Sequence, residues 1–181
     1  METNPRGIPK APFVEDVDEY MKKAGRNAEE VLKTFSESIS KYRFMESNML
    51  QRKKALEAKI PEIKKSLDMV QYLSSRKDST DPINVQYELN DTLFAKAKIT
   101  PSTTVNLWLG ANVMLEYTLS EAEELLQSKL NTATNSKSNA EEDMEFLRDQ
   151  ITTMEVNTAR IYNWDVKMRR ISKASKAVSA S

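Results

Sequence analysis

Residues 107–117 read LWLGANVMLEY, the least polar stretch of a chain that is otherwise charged and helix-prone. Val105, Leu107 and Leu109 recur with the two-residue period of a strand, Gly110-Ala111-Asn112 supplies turn residues, and Val113, Leu115 and Tyr117 return at the same period. Immediately upstream the pattern occurs once before. Ile83, Val85, Tyr87 and Leu89 alternate with polar residues, Asn90-Asp91 offers a tight turn, and Leu93, Ala95, Ala97 and Ile99 continue the alternation until Thr100-Pro101-Ser102 interrupts it. Residues 83–118 therefore predict two β-hairpins in series. Isolated hairpins are marginal and their open edges invite pairing. So short an apolar patch is accordingly expected to bury Leu107, Trp108, Leu109, Val113, Leu115 and Tyr117 against strands of other subunits, the alternative being a sheet packed on its own helices. Val85, Tyr87, Leu89, Leu93 and Phe94 fit either use.

On both sides the period changes. From about Asn27 to Arg76 a heptad places Leu32, Ile39, Ile60 and Leu67 at a, and Phe35, Tyr42, Met49, Leu56, Ile63 and Val70 at d, broken only by Glu46, Lys53 and Ser74. Asn27 and Glu30 resemble a capping box. A second helix is expected from near Ser120, capped by that hydroxyl with Glu123 three residues on. Its a positions, Leu126, Ala133, Ala140, Leu147, Met154, Ile161 and Met168, are all apolar. The partner positions drift between d and e through Leu130, Met144, Ile151 and Trp164, and small polar residues fill 131–139. One apolar stripe exposed to water leaves a helix marginal, so the two helices are expected to pair antiparallel, Leu67 near Leu126 and Leu32 near Ile161. Pro61 interrupts the first helix and would face Ala133, predicting a soft spot where the helices bend or fray.

The composition narrows the chemistry. The 181 residues carry 27 basic and 27 acidic side chains, with charged residues at 30%. The sequence has no Cys and no His, which removes disulfides, thiolate nucleophiles, Ser/His/Asp triads and ordinary zinc or iron sites. Gly7, Gly25 and Gly110 stand too far apart for a phosphate-cradling loop. Glu121, Glu123, Glu141, Glu142 and Asp143 read as solvated helix faces. No enzyme and no cofactor are expected. Zero net charge argues against a nucleic-acid partner, despite Arg52-Lys53-Lys54 and a basic end at Lys167, Arg169, Arg170, Lys173 and Lys176. The first residues, METNPRGIPKAP, lack the long apolar run of a signal peptide or anchor, so no membrane partner is expected and the cytoplasm is the expected location.

Five stretches carry a resemblance: RGIPKAPFVEDVDEYM (6–21), KYRFMESN (41–48), YELNDTLFAKA (87–97), NLWLGANVMLEYTLSEAEELL (106–126) and EFLRDQITTMEVNTARIYNWDV (145–166). In order and over nearly the whole chain, they resemble the α-class prefoldin subunits. The resemblance implies an α+β fold: a long antiparallel coiled-coil helical hairpin with two β-hairpins between the helices, whose strands join an intersubunit β-barrel platform. It implies one α-type domain over 1–181, divided into an N-terminal segment with a short helix (1–26), a first helix (27–77), the hairpins (83–118), a second helix (119–171) and a flexible tail (172–181). It further implies a hetero-hexamer with one further α-type and four β-type subunits. Such an assembly holds unfolded actin and tubulin without ATP and passes them to the cytosolic group II chaperonin.

A holdase needs exposed apolar groups outside its seam and platform. Phe13, Val17, Tyr20 and Met21, with Val14, predict a short amphipathic helix ending near Gly25, either free to meet a client or packed back on the coiled coil. Trp164, Met168 and Ile171 close the second helix and are candidates for client contact, with continued seam packing as the plainer use. The rival reading of the whole chain is a coiled-coil adaptor bridging folded partners in a cytoskeletal or transcriptional complex.

Overall fold

The computed structural model describes residues 2–25 and 27–178. The elements in chain order are α1 (Val17–Ala24), α2 (Ala28–Ser75), β1 (Ile83–Asn90), β2 (Leu93–Ile99), β3 (Thr104–Gly110), β4 (Val113–Thr118) and α3 (Leu119–Val178). Two long helices thus flank two antiparallel hairpins, the expected α+β arrangement. The chain divides into two compact units, one formed by Met1–Lys53 with Ser138–Ser181, the other by Lys54–Lys137.

In the first unit α2 and α3 run antiparallel. Arg43–Glu155 (2.7 Å), Glu46–Arg148 (2.8 Å) and Lys53–Glu141 (3.0 Å) step up α2 as they step down α3. Glu46 and Lys53, which break the apolar seam in the sequence, are therefore cross-helix ion pairs. Such pairs near water add about 0–1 kcal/mol each, so their main effect is to fix register. Lys53 is thus engaged with Glu141 within the chain. Between the helices lie Phe35 and Tyr42 from α2 and Leu147, Ile151, Met154 and Ile161 from α3. Each large side chain so buried contributes about 1.5–3 kcal/mol.

The N-terminal segment joins this core through Ala11, Val14 and Met21. It is the packed-back alternative that the structure adopts. Within it α1 starts at Val17, leaving Phe13 and Val14 ahead of the helix. Asp16 caps it by accepting from the Glu19 N–H at 3.1 Å. Acidic Asp18 and Glu19 stand in the first turn and basic Lys22 and Lys23 in the last, each favourable to the helix dipole. Gly25 ends it at φ 58°, a left-handed conformation in which a Cβ is strained.

The second unit holds the hairpins. Leu67 and Val70 of α2 and Leu119, Ala122 and Leu126 of α3 form its buried cluster, with Ile63, Leu130, Val105, Leu107 and Tyr117 packed against it. Glu57–Lys137 (3.3 Å) and Gln71–Glu123 (2.9 Å) keep the helices antiparallel here too. The helix α2 runs unbroken through Pro61, which faces solvent.

Both hairpins are built alike. Tyr87 pairs with Ala95 and Glu88 with Phe94, then the register shifts before Asn90 meets Leu93. Likewise Leu107 pairs with Leu115 and Trp108 with Met114, then shifts before Gly110 meets Val113. The extra residues, Leu89 and Leu109, are bulges that sharpen the local twist. The first loop is Asp91-Thr92, one residue later than expected. In the second, Ala111 and Asn112 both have positive φ (49° and 59°), the signature of a type I′ turn.

The cap of α3 also lies two residues earlier than expected. Thr118 donates its backbone N–H to Glu121 Oε2 at 3.0 Å, and its hydroxyl accepts from the Glu121 N–H at 3.3 Å. This reciprocal pair is a capping box. At its other end α3 passes the expected stop at 171 and continues to Val178. Residues 179–181 of the expected tail lie outside the described residues, as does the Lys176 side chain.

Candidate functional site: uncovered strands and a strapped groove

The candidate interface residues fall into two sets by exposure. On β3 and β4, Val105, Leu107 and Tyr117 turn towards the helices of their own unit and are half-buried. Trp108 and its cross-strand partner Met114 point the other way, and Trp108 is 59% exposed. Leu109 and Val113, beside the turn, and Leu115 are also exposed. On β1 and β2, Tyr87, Leu89, Leu93 and Ile99 lie on one uncovered face, with Phe94 exposed on the other. Two short hairpins thus present aromatic and aliphatic side chains to water on a scale that marks an association surface. Met114 and Ile99 were not among the candidates. The bulge at Leu109 sets Met114 opposite Trp108, whereas an unbulged pairing about Ala111-Asn112 would set it opposite Leu109, so alternation alone does not name it.

The seven candidate client residues are divided in the same way. Phe13 and Ile171 are exposed, and the Arg160 guanidinium lies over the Phe13 ring at 5.3 Å. Val17 and Tyr20 are half-buried on the core, Tyr20 against the Phe35 ring with centroids 6.1 Å apart. Met21 is only 6% exposed. Trp164 is half-buried and donates its indole N–H to Asp18 at 2.6 Å, while Met168 is half-buried further along α3.

That indole contact is the last of a series missing from the sequence reading. Asp143, Gln150, Asn157 and Trp164 recur every seven residues, on the d line of α3. Asp143 accepts from Asn4 Nδ2 and Arg6 Nε, both at 2.7 Å. It is buried and paired, not part of a solvated face as expected from the sequence. The bond to Asp143, and then that to Glu142, raises the Arg6 guanidinium above its ordinary pKa. Gln150 accepts the Ala11 N–H at 2.9 Å. Asn157 accepts the Val14 N–H at 3.0 Å and donates to the Pro12 carbonyl at 2.7 Å. From α2, the Tyr42 hydroxyl donates to the Pro9 carbonyl at 3.0 Å, and burial pushes its pKa up. Among the described residues no buried side-chain nitrogen or oxygen lacks a partner. The polar d residues are therefore satisfied by the N-terminal segment, which occupies the groove as a third strand.

Among the described residues no cluster of three acidic, His or Cys side chains is placed to hold a metal, and no helix is long and apolar enough to cross a membrane.

Comparison with known proteins agrees with this architecture. The prefoldin family model, described as Prefoldin subunit, matches residues 42–164. Prefoldin subunit 3 of Elsinoe fawcettii is 55% identical over 174 residues, covering 96% of this chain and 88% of that protein. Prefoldin subunit 3 of Homo sapiens is 50% identical, covering 94% and 87%, and that of Saccharomyces cerevisiae is 45% identical, covering 97% and 92%. In fold, the chain is similar to a subunit of filamentous PFD from Methanocaldococcus jannaschii seen by cryo-EM, with a TM-score of 0.53 at 16% identity over 67% of this chain and 98% of that one. Helix, two hairpins and helix, with family identity across nearly the full length, lead to one conclusion: the chain belongs to the prefoldin family of non-enzymatic chaperone subunits, which work with other prefoldin subunits.

Proposed function

We propose that this chain is one of two α-type subunits in a hetero-hexamer with four β-type subunits, a cytoplasmic holdase that receives unfolded actin and tubulin and delivers them to the cytosolic chaperonin. The observation that carries the reading is the pair of uncovered hairpin faces around Trp108 and Tyr87. Strands that leave such residues in water need neighbouring strands to cover them, which a multisubunit β-barrel platform supplies. The interface set then comprises Trp108, Leu109, Val113, Leu115, Tyr87, Leu89 and Phe94, with Leu107 and Tyr117 bracing the strands from behind. In the first unit Phe13 and Ile171 make first contact with a client, and Val17, Tyr20, Met21, Trp164 and Met168 complete the contact set.

The test is co-expression with one α-type and β-type partners, native mass measurement, and capture of chemically unfolded actin beside folded actin. A hexamer that retains only the unfolded form supports the reading. A monomer, or equal retention of folded actin as an adaptor would show, overturns it.

A further inference from the structure

We infer that the groove between α2 and α3 in the first unit is a binding site for an extended polypeptide segment, and that residues 8–14 are its built-in occupant, displaced when an unfolded chain is held. The inference rests on the chaperone reading above and specifies where on this subunit such a chain lies.

The argument begins with which atoms are recognised. Between Pro9 and Val14 the groove contacts main-chain groups: Tyr42 holds the Pro9 carbonyl, Gln150 the Ala11 N–H, and Asn157 both the Pro12 carbonyl and the Val14 N–H. Those groups exist in any polypeptide, apart from the missing N–H of proline. Recognition through them is indifferent to sequence. Selectivity comes from side chains, and the segment inserts small ones: Ala11 and Val14 are buried and Ile8 packs at the edge of the same core. Residues 8, 11 and 14 are spaced by three, with prolines at 9 and 12, the repeat of a polyproline II helix. The site therefore takes an extended segment with small apolar residues three apart, without a requirement for any particular charged group.

The occupant is also fastened in a way that allows exchange. Further attachments lie outside the stretch that fills the groove: Asn4 and Arg6 on Asp143 at one end, Asp18 on Trp164 at the other. Released from the groove, the segment stays tethered at both ends and returns when the guest leaves. A tethered occupant lowers the apparent affinity of a free chain by the fraction of time that the groove is open. Such a site stays closed to apolar groups of its own assembly yet opens to a guest present in excess.

The experiment uses the full chain assembled with its partner subunits, and two probes: a reduced and alkylated protein that cannot refold, and a labelled synthetic peptide of residues 5–16. In the unsubstituted assembly, bound unfolded protein is expected to raise hydrogen exchange at Ala11 and Val14 while 147–161 stay protected. Unchanged exchange at Ala11 and Val14 with that protein bound overturns the proposal. In a second arm Val14→Asp ejects the segment and leaves the groove intact, so the peptide is expected to bind about tenfold tighter than to the unsubstituted assembly. Adding Gln150→Ala and Asn157→Ala should abolish that gain. Equal peptide binding in all three assemblies overturns the groove as a site. If the peptide binds as expected and the unfolded protein does not bind at all, the groove stands and the chaperone reading falls with the displacement by a guest. If the unfolded protein binds and the peptide does not, the chaperone reading stands and the inference fails.

Discussion

Asn157 and Val14, 143 residues apart in sequence, are joined by a 3.0 Å hydrogen bond in which the asparagine side chain accepts the valine amide. The same side chain donates to Pro12, and Asn157 is 0% exposed. Removing it strands the buried Val14 amide, at a cost of about 1–3 kcal/mol, and leaves the part-buried Pro12 carbonyl without its donor. Asn157→Ala should therefore raise hydrogen exchange at Val14 by roughly ten- to a hundred-fold, and Asn157→Asp, which keeps the acceptor for Val14 and loses the donor to Pro12, should fall between. Equal exchange in all three forms would show that the bond does not hold the segment.

Trp108 and Met114 face each other across β3 and β4, exposed in the chain. Replacing both with Asp should leave the helical content of the chain unchanged, because neither contributes to its core, while abolishing assembly with other subunits. Each apolar side chain withheld from an interface removes about 1.5–3 kcal/mol, before the added cost of burying charge. Native mass spectrometry beside circular dichroism separates the two effects. A double variant that still assembles would remove these residues from the interface.

The cap of α3 responds to acid. The Thr118 backbone N–H, and secondarily its hydroxyl, lower the Glu121 carboxyl below its ordinary 4.5. A carboxylate whose folded pKa is depressed contributes stability that is present above the unfolded value and is lost as pH falls through the folded one. The capping box should therefore hold at neutral pH and weaken only below about 4.5. A carbon-13 titration should find the Glu121 midpoint under that value, and Thr118→Ala should move it part of the way back, since the amide remains. An unshifted midpoint in the unsubstituted chain would contradict the cap.

Pro61 leaves α2 one amide donor short, on a helix face open to water. Hydrogen exchange should show a dip in protection over 57–62 and 131–140, and Pro61→Ala should remove the first. Even protection along both stretches would show that the proline is accommodated without local opening.

The a positions of α3 show what periodicity reveals. Leu126, Ala133, Ala140, Leu147, Met154 and Ile161 are buried in their units, as their seven-residue spacing requires. The d positions Asp143, Gln150 and Asn157 have the same spacing, but as polar residues they read as irregularities of the seam. Gln150 and Asn157 bind main chain, which leaves no complementary residue type to notice more than a hundred positions away. Local ambiguity explains the smaller differences. Thr118 with Glu121 and Ser120 with Glu123 are overlapping capping boxes, and the pairing of Thr118 with Thr104, which ends β4 there, selects the first. The first hairpin loop falls one residue late because the bulge at Leu89 uses a residue that alternation assigns to the strand. Which faces of the hairpins are covered is likewise invisible to alternation, since both β3–β4 faces carry large apolar groups.

The cross-helix pairs Glu46–Arg148 and Lys53–Glu141 stand one heptad apart on both helices. A deletion of two residues from α2 between them would rotate one pair off its partner and swing the apolar residues that follow out of the seam. Descendants of this sequence keep both pairs and the seam when these helices change length in matched seven-residue increments, one taken from each.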